Sequence, residues 1–259
     1  MTPVANPIWT YPTPLTEVRL VGRRKRFFAD VEAPDGRAFA VHCANPGRMT
    51  SCGAPGSRAR ISDSGNPKRT LRWSLEQVAE TDAWVMVHTA RTNPVVEALV
   101  AAGRVPGVPA DAPRRREAAD GAGHRFDLLV EPEDAPRLWI EVKNVTWRVG
   151  DEARFPDAVT ARGRRHLEGL ADRVALGDRA LLVFYVGRGD VDRVRPAEDV
   201  DPAYAAALRH AVEAGVEVVA LAGRVTAAGL DATGTLPVVL GATPPIPGED
   251  RPTSVASGP

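Results

Sequence analysis

Arg125-Phe126-Asp127-Leu128-Leu129-Val130, followed after residues 131–138 by Trp139-Ile140-Glu141-Val142-Lys143, is the stretch on which the reading of this chain turns. Both segments are apolar runs broken by charge. Strand alternation sends Glu141 and Lys143 to one face and Ile140 and Val142 to the other. A charged face on a strand that otherwise reads as central needs a reason. Arg125–Val130 and Leu138–Val145 are predicted strands with Pro132–Pro136 as their turn, and in an antiparallel hairpin Asp127 and Glu141 lie side by side.

That arrangement has a chemical use. Two hard carboxylates hold Mg²⁺ or Mn²⁺ with waters completing the shell. Such a metal polarises a phosphoryl oxygen and acidifies a bound water. A neighbouring lysine orients that water or stabilises the developing charge. Asp127, Glu141 and Lys143 are therefore the candidate catalytic residues, with Asp127 and Glu141 as metal ligands and Glu97, on an earlier helix, as a further one. An E-x-K on a strand is also commonly a surface ion pair. Two features weigh for the metal: the Asp127 strand before it, and the identity of the lysine. Of 33 basic residues only Lys25, Lys68 and Lys143 are lysines, so a lysine marks a place where arginine does not substitute.

Outward from this hairpin the pattern alternates strand and helix. Asp157–Leu176 is predicted helical, with Leu167, Leu170, Ala171 and Val174 on one face. Ala180–Val186 is a continuous apolar strand of the kind covered on both sides. Asp201-Pro202 caps a helix carrying Tyr204, Leu208, Ala211 and Val212, and Val216–Leu221 is the next strand. Before the hairpin, Asn93-Pro94 is predicted to open a helix to Ala102, with Asn93 as its cap, and 104–113 to be a loop. Earlier still come short strands: Val18–Val21, Phe27–Val31, Phe39–Cys43, Ala59–Ser62, Thr70–Val78 and Trp84–His88. They suggest a small OB-like barrel. The expectation is an α/β (α+β) protein: an OB-like β-barrel over 1–88, a mixed-sheet domain over 89–241, and a disordered tail over 242–259.

Composition removes several classes. No apolar run reaches the roughly 18 residues of a membrane span, and the start lacks a secretory pattern, so a cytoplasmic protein without membrane contact is expected. Two cysteines, Cys43 and Cys52, read as free thiols and not as a disulfide framework. There is no Walker loop, CxxC or nucleophile-elbow motif. Net charge is zero, but residues 1–89 carry 12 Lys and Arg against 8 Asp and Glu, while 190–259 carry 5 against 10. A polyanion is drawn to the first part.

Several segments resemble the sugar fermentation stimulation protein A family. They are Arg24-Lys25-Arg26-Phe27-Phe28-Ala29-Asp30-Val31, Val41-His42-Cys43-Ala44-Asn45-Pro46-Gly47-Arg48-Met49, Asn66-Pro67-Lys68-Arg69 and Glu141-Val142-Lys143-Asn144-Val145-Thr146. Phe155-Pro156-Asp157-Ala158-Val159-Thr160-Ala161-Arg162-Gly163 follows, then His166-Leu167, Asp201-Pro202-Ala203-Tyr204 and Gly215-Val216-Glu217-Val218. The match is collinear over about 15–240, and all three lysines fall inside it. The resemblance implies an N-terminal OB-like domain, a C-terminal domain of the PD-(D/E)xK nuclease fold, DNA binding, and a role in regulating sugar-utilisation genes. Asp127, Glu141 and Lys143 stand at the nuclease-type core. Pro46 stands where the family usually has Thr, and His124 where it usually has Ser.

Arg19, Arg23, Arg24, Lys25 and Arg26 form the densest positive cluster. With Arg48, Lys68 and Arg162 they are the candidate nucleic-acid contacts. For Phe27 and Phe28 an ordinary strand, one ring in the core and the other covering it, is the preferred expectation. Two functions follow: a Mg²⁺- or Mn²⁺-dependent nuclease on DNA, or a DNA-binding regulator with a vestigial site. RNA is not excluded as the partner, and oligomeric state is not legible.

Overall fold

The computed structural model describes residues 7–81 and 83–241; the tail expected to be disordered, 242–259, lies outside the described residues. After a short β1 (Trp9–Thr10), the first half forms β2 (Leu15–Arg24), β3 (Phe28–Glu32), β4 (Ala38–Cys43), β5 (Arg58–Asp63), β6 (Trp73–Glu80) and β7 (Ala83–Met86). Their order is β4-β3-β2-β5-β6-β7, and β4 also pairs with β6 through His42 with Ser74 and Cys43 with Leu75. That extra pairing curls the sheet into a near-closed barrel, which removes the exposed edges an open sheet of this size would leave. Leu20, Val31, Val41, Ile61, Leu75 and Val78 fill it. Cys43 and Cys52 are buried free thiols, and burial pushes the Cys52 thiol up to about 12, so it is inert at neutral pH.

A single 3₁₀ turn (Thr89–Arg91) leads into α1 (Thr92–Ala101). The second half continues with β8 (Arg114–Ala119), β9 (Arg125–Val130), β10 (Leu138–Val145), β11 (Trp147–Val149), β12 (Glu152–Phe155), α2 (Ala161–Ala175), β13 (Arg179–Val186), β14 (Arg193–Pro196), α3 (Pro202–Glu213), β15 (Glu217–Val225) and β16 (Gly229–Leu236). One seven-stranded sheet runs β1-β16-β15-β13-β10-β9-β8, and β11, β12 and β14 form a small second sheet. The centre of the large sheet, β10-β13-β15, is parallel, and its flanks are antiparallel. One core, built with Val95, Val96 and Leu99 of α1, covers one face. The other core takes Leu167 and Leu170 of α2 with Tyr204, Leu208 and Ala211 of α3. From Ala180 onward β13 is buried throughout, as its unbroken apolar run predicts.

Four local expectations change. Asn93 is not the cap of α1. The helix begins at Thr92 with Arg91 as its cap, and no side chain bonds there. Asp157 does not open α2, which starts at Ala161; Thr160 caps it, its side chain accepting from Gly163 N. Arg114–Arg116 lie in an edge strand, β8, which the sequence reading did not predict. Finally, Trp9 and Thr10 pair with Leu230 and Gly229 of the seven-stranded sheet, although they precede the barrel in the chain. None of the helices among the described residues is long and apolar enough to cross a membrane.

Candidate metal centre and cleft

The antiparallel ladder between β9 and β10 pairs Leu138 with Val130, Trp139 with Leu129 and Ile140 with Leu128. It ends there, because the Asp127 side chain takes over. Its Oδ2 accepts a hydrogen bond from Val142 N at 2.7 Å, and its Oδ1 accepts from Asn93 Nδ2 at 2.7 Å. On the neighbouring strand Glu141 is 3% exposed. Its Oε1 accepts from Lys143 Nζ at 2.5 Å and also pairs with His166 Nδ1 from α2. Its Oε2 is buried with no hydrogen-bond partner among the described residues. A buried carboxylate oxygen left bare is costly in a fold, and it is the oxygen a cation would take.

The two carboxyls are driven apart. Burial, and then the charge of Glu141, push Asp127 up to about 6 against the hydrogen bonds from Val142 and Asn93. Burial raises Glu141 too, but the His166 hydrogen bond and the Lys143 charge outweigh it and hold Glu141 below the ordinary carboxylate range. Near pH 6, Glu141 is ionised while Asp127 shares its proton with solvent.

A stability prediction follows. Because the folded-state value of Asp127 lies above its unfolded one, protonation favours the fold. That contribution is complete below about pH 4 and is lost as pH rises through about 6. Above it, ionised Asp127 costs the fold on the order of 2–3 kcal/mol. Asp127→Asn should therefore raise Tm at about pH 8, with Asn93 turning its amide to suit, and the gain should shrink steeply by about pH 4.5. A gain that is the same at both pH values would contradict this account.

The structure brings Asp127, Glu141 and Lys143 together and separates the other candidates. The Glu97 carboxylate is engaged by Arg116 of β8 and does not join them. No three His, Cys, Asp or Glu among the described residues are placed to hold a metal ion together, so two carboxylates are what this centre offers. His166 had entered the sequence reading only within a segment resembling the family, and Asn93 only as a helix cap. Both touch the carboxylates. An asparagine inside a helix, where its propensity is poor, was the signal available for the second.

Lys143 opens onto a cavity of about 420 Å³. Its boundary includes Val142 and Asn144 of β10, Thr92 and Asn93 of α1, Pro156–Thr160 before α2, and the barrel loop Asn45–Gly47. Beside it a second cavity of about 250 Å³ is lined by Arg23–Arg26, Pro46–Arg48 and Ala158. Arg26, Pro46, Gly47 and Ala158 border both, so the basic hairpin of the barrel shares one groove with Lys143, while Asp127 and Glu141 stand behind it and line neither cavity.

Within that groove the basic residues divide by task. Arg23 is consumed internally, donating to the carbonyls of Asn45 (2.8 Å), Arg26 (3.1 Å) and Arg48 (3.1 Å). Arg24 pairs with Asp30 at 2.8 Å and lies over the Phe28 ring. Lys25, Arg26 and Arg48 are exposed at the groove. Lys25 and Arg26 hold left-handed backbone, with φ 49° and 60°, a strained conformation for residues with side chains. It makes the β2–β3 turn tight enough to push Phe27 outward. Phe27 is 51% exposed and Phe28 half-buried, so neither ring enters the core, contrary to the expectation above. Lys68, in the β5–β6 connection, borders neither cavity. Nor does Arg162, which donates to His166 Nε2 at 3.2 Å.

Gly47 packs where a Cβ would stand 2.5 Å from Asp157 Oδ2 and 3.0 Å from Asn45 Oδ1. Gly47→Ala should displace Asp157 and break its bond from Met49 N, which is 3.2 Å long. The expected cost is about 1–3 kcal/mol, with faster amide exchange at Met49. Unchanged exchange there would show that Asp157 yields freely.

Comparison with known proteins adds three findings. Residues 21–87 match the family model "SfsA N-terminal OB domain", and 90–229 match "Sugar fermentation stimulation protein RE domain". Curated proteins described as sugar fermentation stimulation protein homologs are similar over most of their length. One from Maricaulis maris is 46% identical over 213 residues (82% of this chain, 91% of that protein), and one from Rhodospirillum centenum is 46% identical over 227 residues (87% and 97%). A solved structure of Pyrococcus furiosus SfsA in complex with Ca²⁺ superposes with TM-score 0.81 at 25% identity, covering 91% of this chain and all of that one.

Proposed function

The chain belongs to the sugar fermentation stimulation protein family, and from that premise we propose that it is a divalent-metal-dependent phosphodiesterase acting on nucleic acid, with DNA the first substrate to test. The observation that carries this reading is the centre itself: Asp127 and Glu141 side by side, Lys143 on Glu141, and Glu141 Oε2 buried and unpartnered. Binding alone would not call for such a centre.

The residues present fit a hard divalent cation. Two carboxylates, with waters and a substrate phosphate completing the shell, match the way Mg²⁺ is usually held. The Ca²⁺ in the Pyrococcus furiosus relative supports an oxygen-preferring cation. Asp127 and Glu141 would hold it, and when bound it would supply Lewis-acid polarisation of a phosphoryl oxygen and a more acidic water.

The chain's own residues do the rest. Val142 N and Asn93 fix the Asp127 carboxylate. His166 and Lys143 occupy Glu141 Oε1 and leave Oε2 unpartnered, the oxygen that would ligate a cation. Lys143, opening onto the cavity, stands where its ammonium can orient a water or neutralise charge developing on the phosphate. Lys25, Arg26 and Arg48 attract the phosphate backbone towards the groove.

Purified protein is incubated with labelled DNA and RNA in Mg²⁺ or Mn²⁺, with a chelator control. Metal-dependent cleavage is expected. The second reading, a DNA-binding regulator, is favoured by the basic cavity on the barrel, which needs no metal. Binding indifferent to metal, with no cleavage of any substrate, would select it.

A further inference from the structure

Asn45–Gly47 line the larger cavity and Pro46–Arg48 the smaller, so residues 44–49 of the barrel form a strap where the two meet, tied at both sides. On one side Ala44 O accepts from Thr89 Oγ1 at 2.5 Å, and Asn45 Nδ2 donates to Val87 O at 3.1 Å. On the other, Met49 N donates to Asp157 Oδ2 at 3.2 Å, and Gly47 fits so closely that a side chain there would strike that carboxylate. Arg23 stiffens the strap from behind through the carbonyls of Asn45, Gly47 and Arg48. Asn45 itself is 5% exposed. The strap is thus built into the fold and is not a loose loop.

We propose that the ligand of this cleft is a single strand of nucleic acid, or the frayed or tailed end of a duplex, and that an intact duplex is kept from Lys143 by the strap. This rests on the nucleic-acid reading of the carboxylate centre and narrows it. A cavity of about 420 Å³ lies within the roughly 300–1,000 Å³ range of small-ligand pockets; it has room for a nucleotide or so of one strand. Enzymes that must reach an atom inside a duplex act on single strands or extrude one nucleotide.

The walls suit an unpaired nucleotide. Thr92 is 2% exposed and its Oγ1 has no partner among the described residues; Asn144 Oδ1, on the residue after Lys143, is likewise buried and unpartnered. Both border the cavity. They are positioned for the hydroxyls and ring N–H groups that a paired, stacked base hides and an unpaired nucleotide exposes. Val159, which lines the cavity, is 70% exposed, and Phe27, next in sequence to the cavity-lining Arg26, is 51% exposed. Stacking of an unpaired base on an exposed ring is sequence-tolerant, so the inference gives the strand state and no sequence preference.

The test uses the full chain with Ca²⁺ replacing Mg²⁺, at one fixed salt concentration, and four probes of common sequence: single-stranded DNA, single-stranded RNA, a blunt duplex, and a duplex with a single-stranded tail. Affinity and amide-exchange protection of 142–146 and 156–160 are read together. Single strands and the tailed duplex should bind at least about tenfold tighter than the blunt duplex and protect both segments; the DNA and RNA arms decide which sugar is taken. A blunt duplex that binds only at the outer basic surface, leaving both segments unprotected, agrees with exclusion. A blunt duplex that binds as tightly and protects both segments equally overturns the inference alone. Binding of none of the four removes the proposed function, and this inference with it. Asp157→Ala, which cuts the strap on one side, should bring the blunt duplex closer to the single strands in both readouts; no narrowing would count against the strap.

Discussion

Lys143→Met should lower metal-dependent cleavage by about 100-fold or more while leaving Mn²⁺ affinity unchanged or slightly tighter. Glu141→Gln should lose both. The two residues touch, Nζ to Oε1 at 2.5 Å, so loss of activity alone would not tell them apart. Their roles differ in charge. Removing Lys143 takes a cation away from a cation site, which favours metal, but it removes the group that faces the cavity. Glu141→Gln keeps the shape and can still accept from Lys143, but it loses the negative charge and the ionised Oε2. Even outer groups around a metal cost 10–100-fold in affinity when changed, so a ligand should cost about 100-fold at least. Calorimetric titration with Mn²⁺ and a single-turnover cleavage assay separate the two. If Lys143→Met lost metal in proportion to cleavage, or Glu141→Gln still cleaved, the assignment of roles would be wrong.

Arg91→Met should destabilise the protein by about 3–5 kcal/mol, a fall of roughly 10 °C or more in Tm. Glu76 on β6 is completely buried. Arg91, in the turn before α1, donates to it through Nη2 at 2.6 Å and Nε at 3.1 Å, and Ser62 Oγ adds a bond at 2.6 Å. Removing the guanidinium leaves a buried carboxylate with only a hydroxyl. The size of the effect comes from that stranded charge and not from the worth of the pair. Glu76→Gln combined with Arg91→Met should therefore recover most of the loss, because Ser62 can still donate to the amide oxygen. A double variant as unstable as the single one would place the cost in lost packing, for example against Trp9, whose ring lies 6.0 Å from the guanidinium. Thermal and denaturant unfolding of the wild type and the two variants decide it.

Both pairs bear on how much could be read in advance. The Asp127–Glu141–Lys143 cluster was legible because its information is local: alternation within one strand, a turn, and a second strand at short range. The barrel and the α/β half were legible for the same reason. Turn chemistry such as Pro34-Asp35-Gly36, the unbroken apolar run of β13 and the Asp201-Pro202 cap of α3 each declare an element without help from distant residues. Small strands were lost. β11, β12 and β14 are three or four residues long, too short for periodicity to register, and β1 exists only because β16 lies beside it.

What the sequence determined by itself is therefore the set of elements with a period and a cap, the separation into a strand-rich half and a strand–helix half, and a carboxylate–lysine hairpin that needed neither to be proposed. Only the tertiary structure decided what surrounds that hairpin. It assigned His166 to Glu141 and Asn93 to Asp127, tied Glu97 to Arg116, placed Arg23 on the strap's carbonyls, and bound residues 44–49 beside the cleft to Asp157. Hydrogen bonds and burial between residues tens of positions apart depend on how whole sheets and helices pack. No local pattern encodes them, because a side chain's partner is chosen by what the folded chain brings within about 3 Å, and that is settled by the packing of all its elements at once.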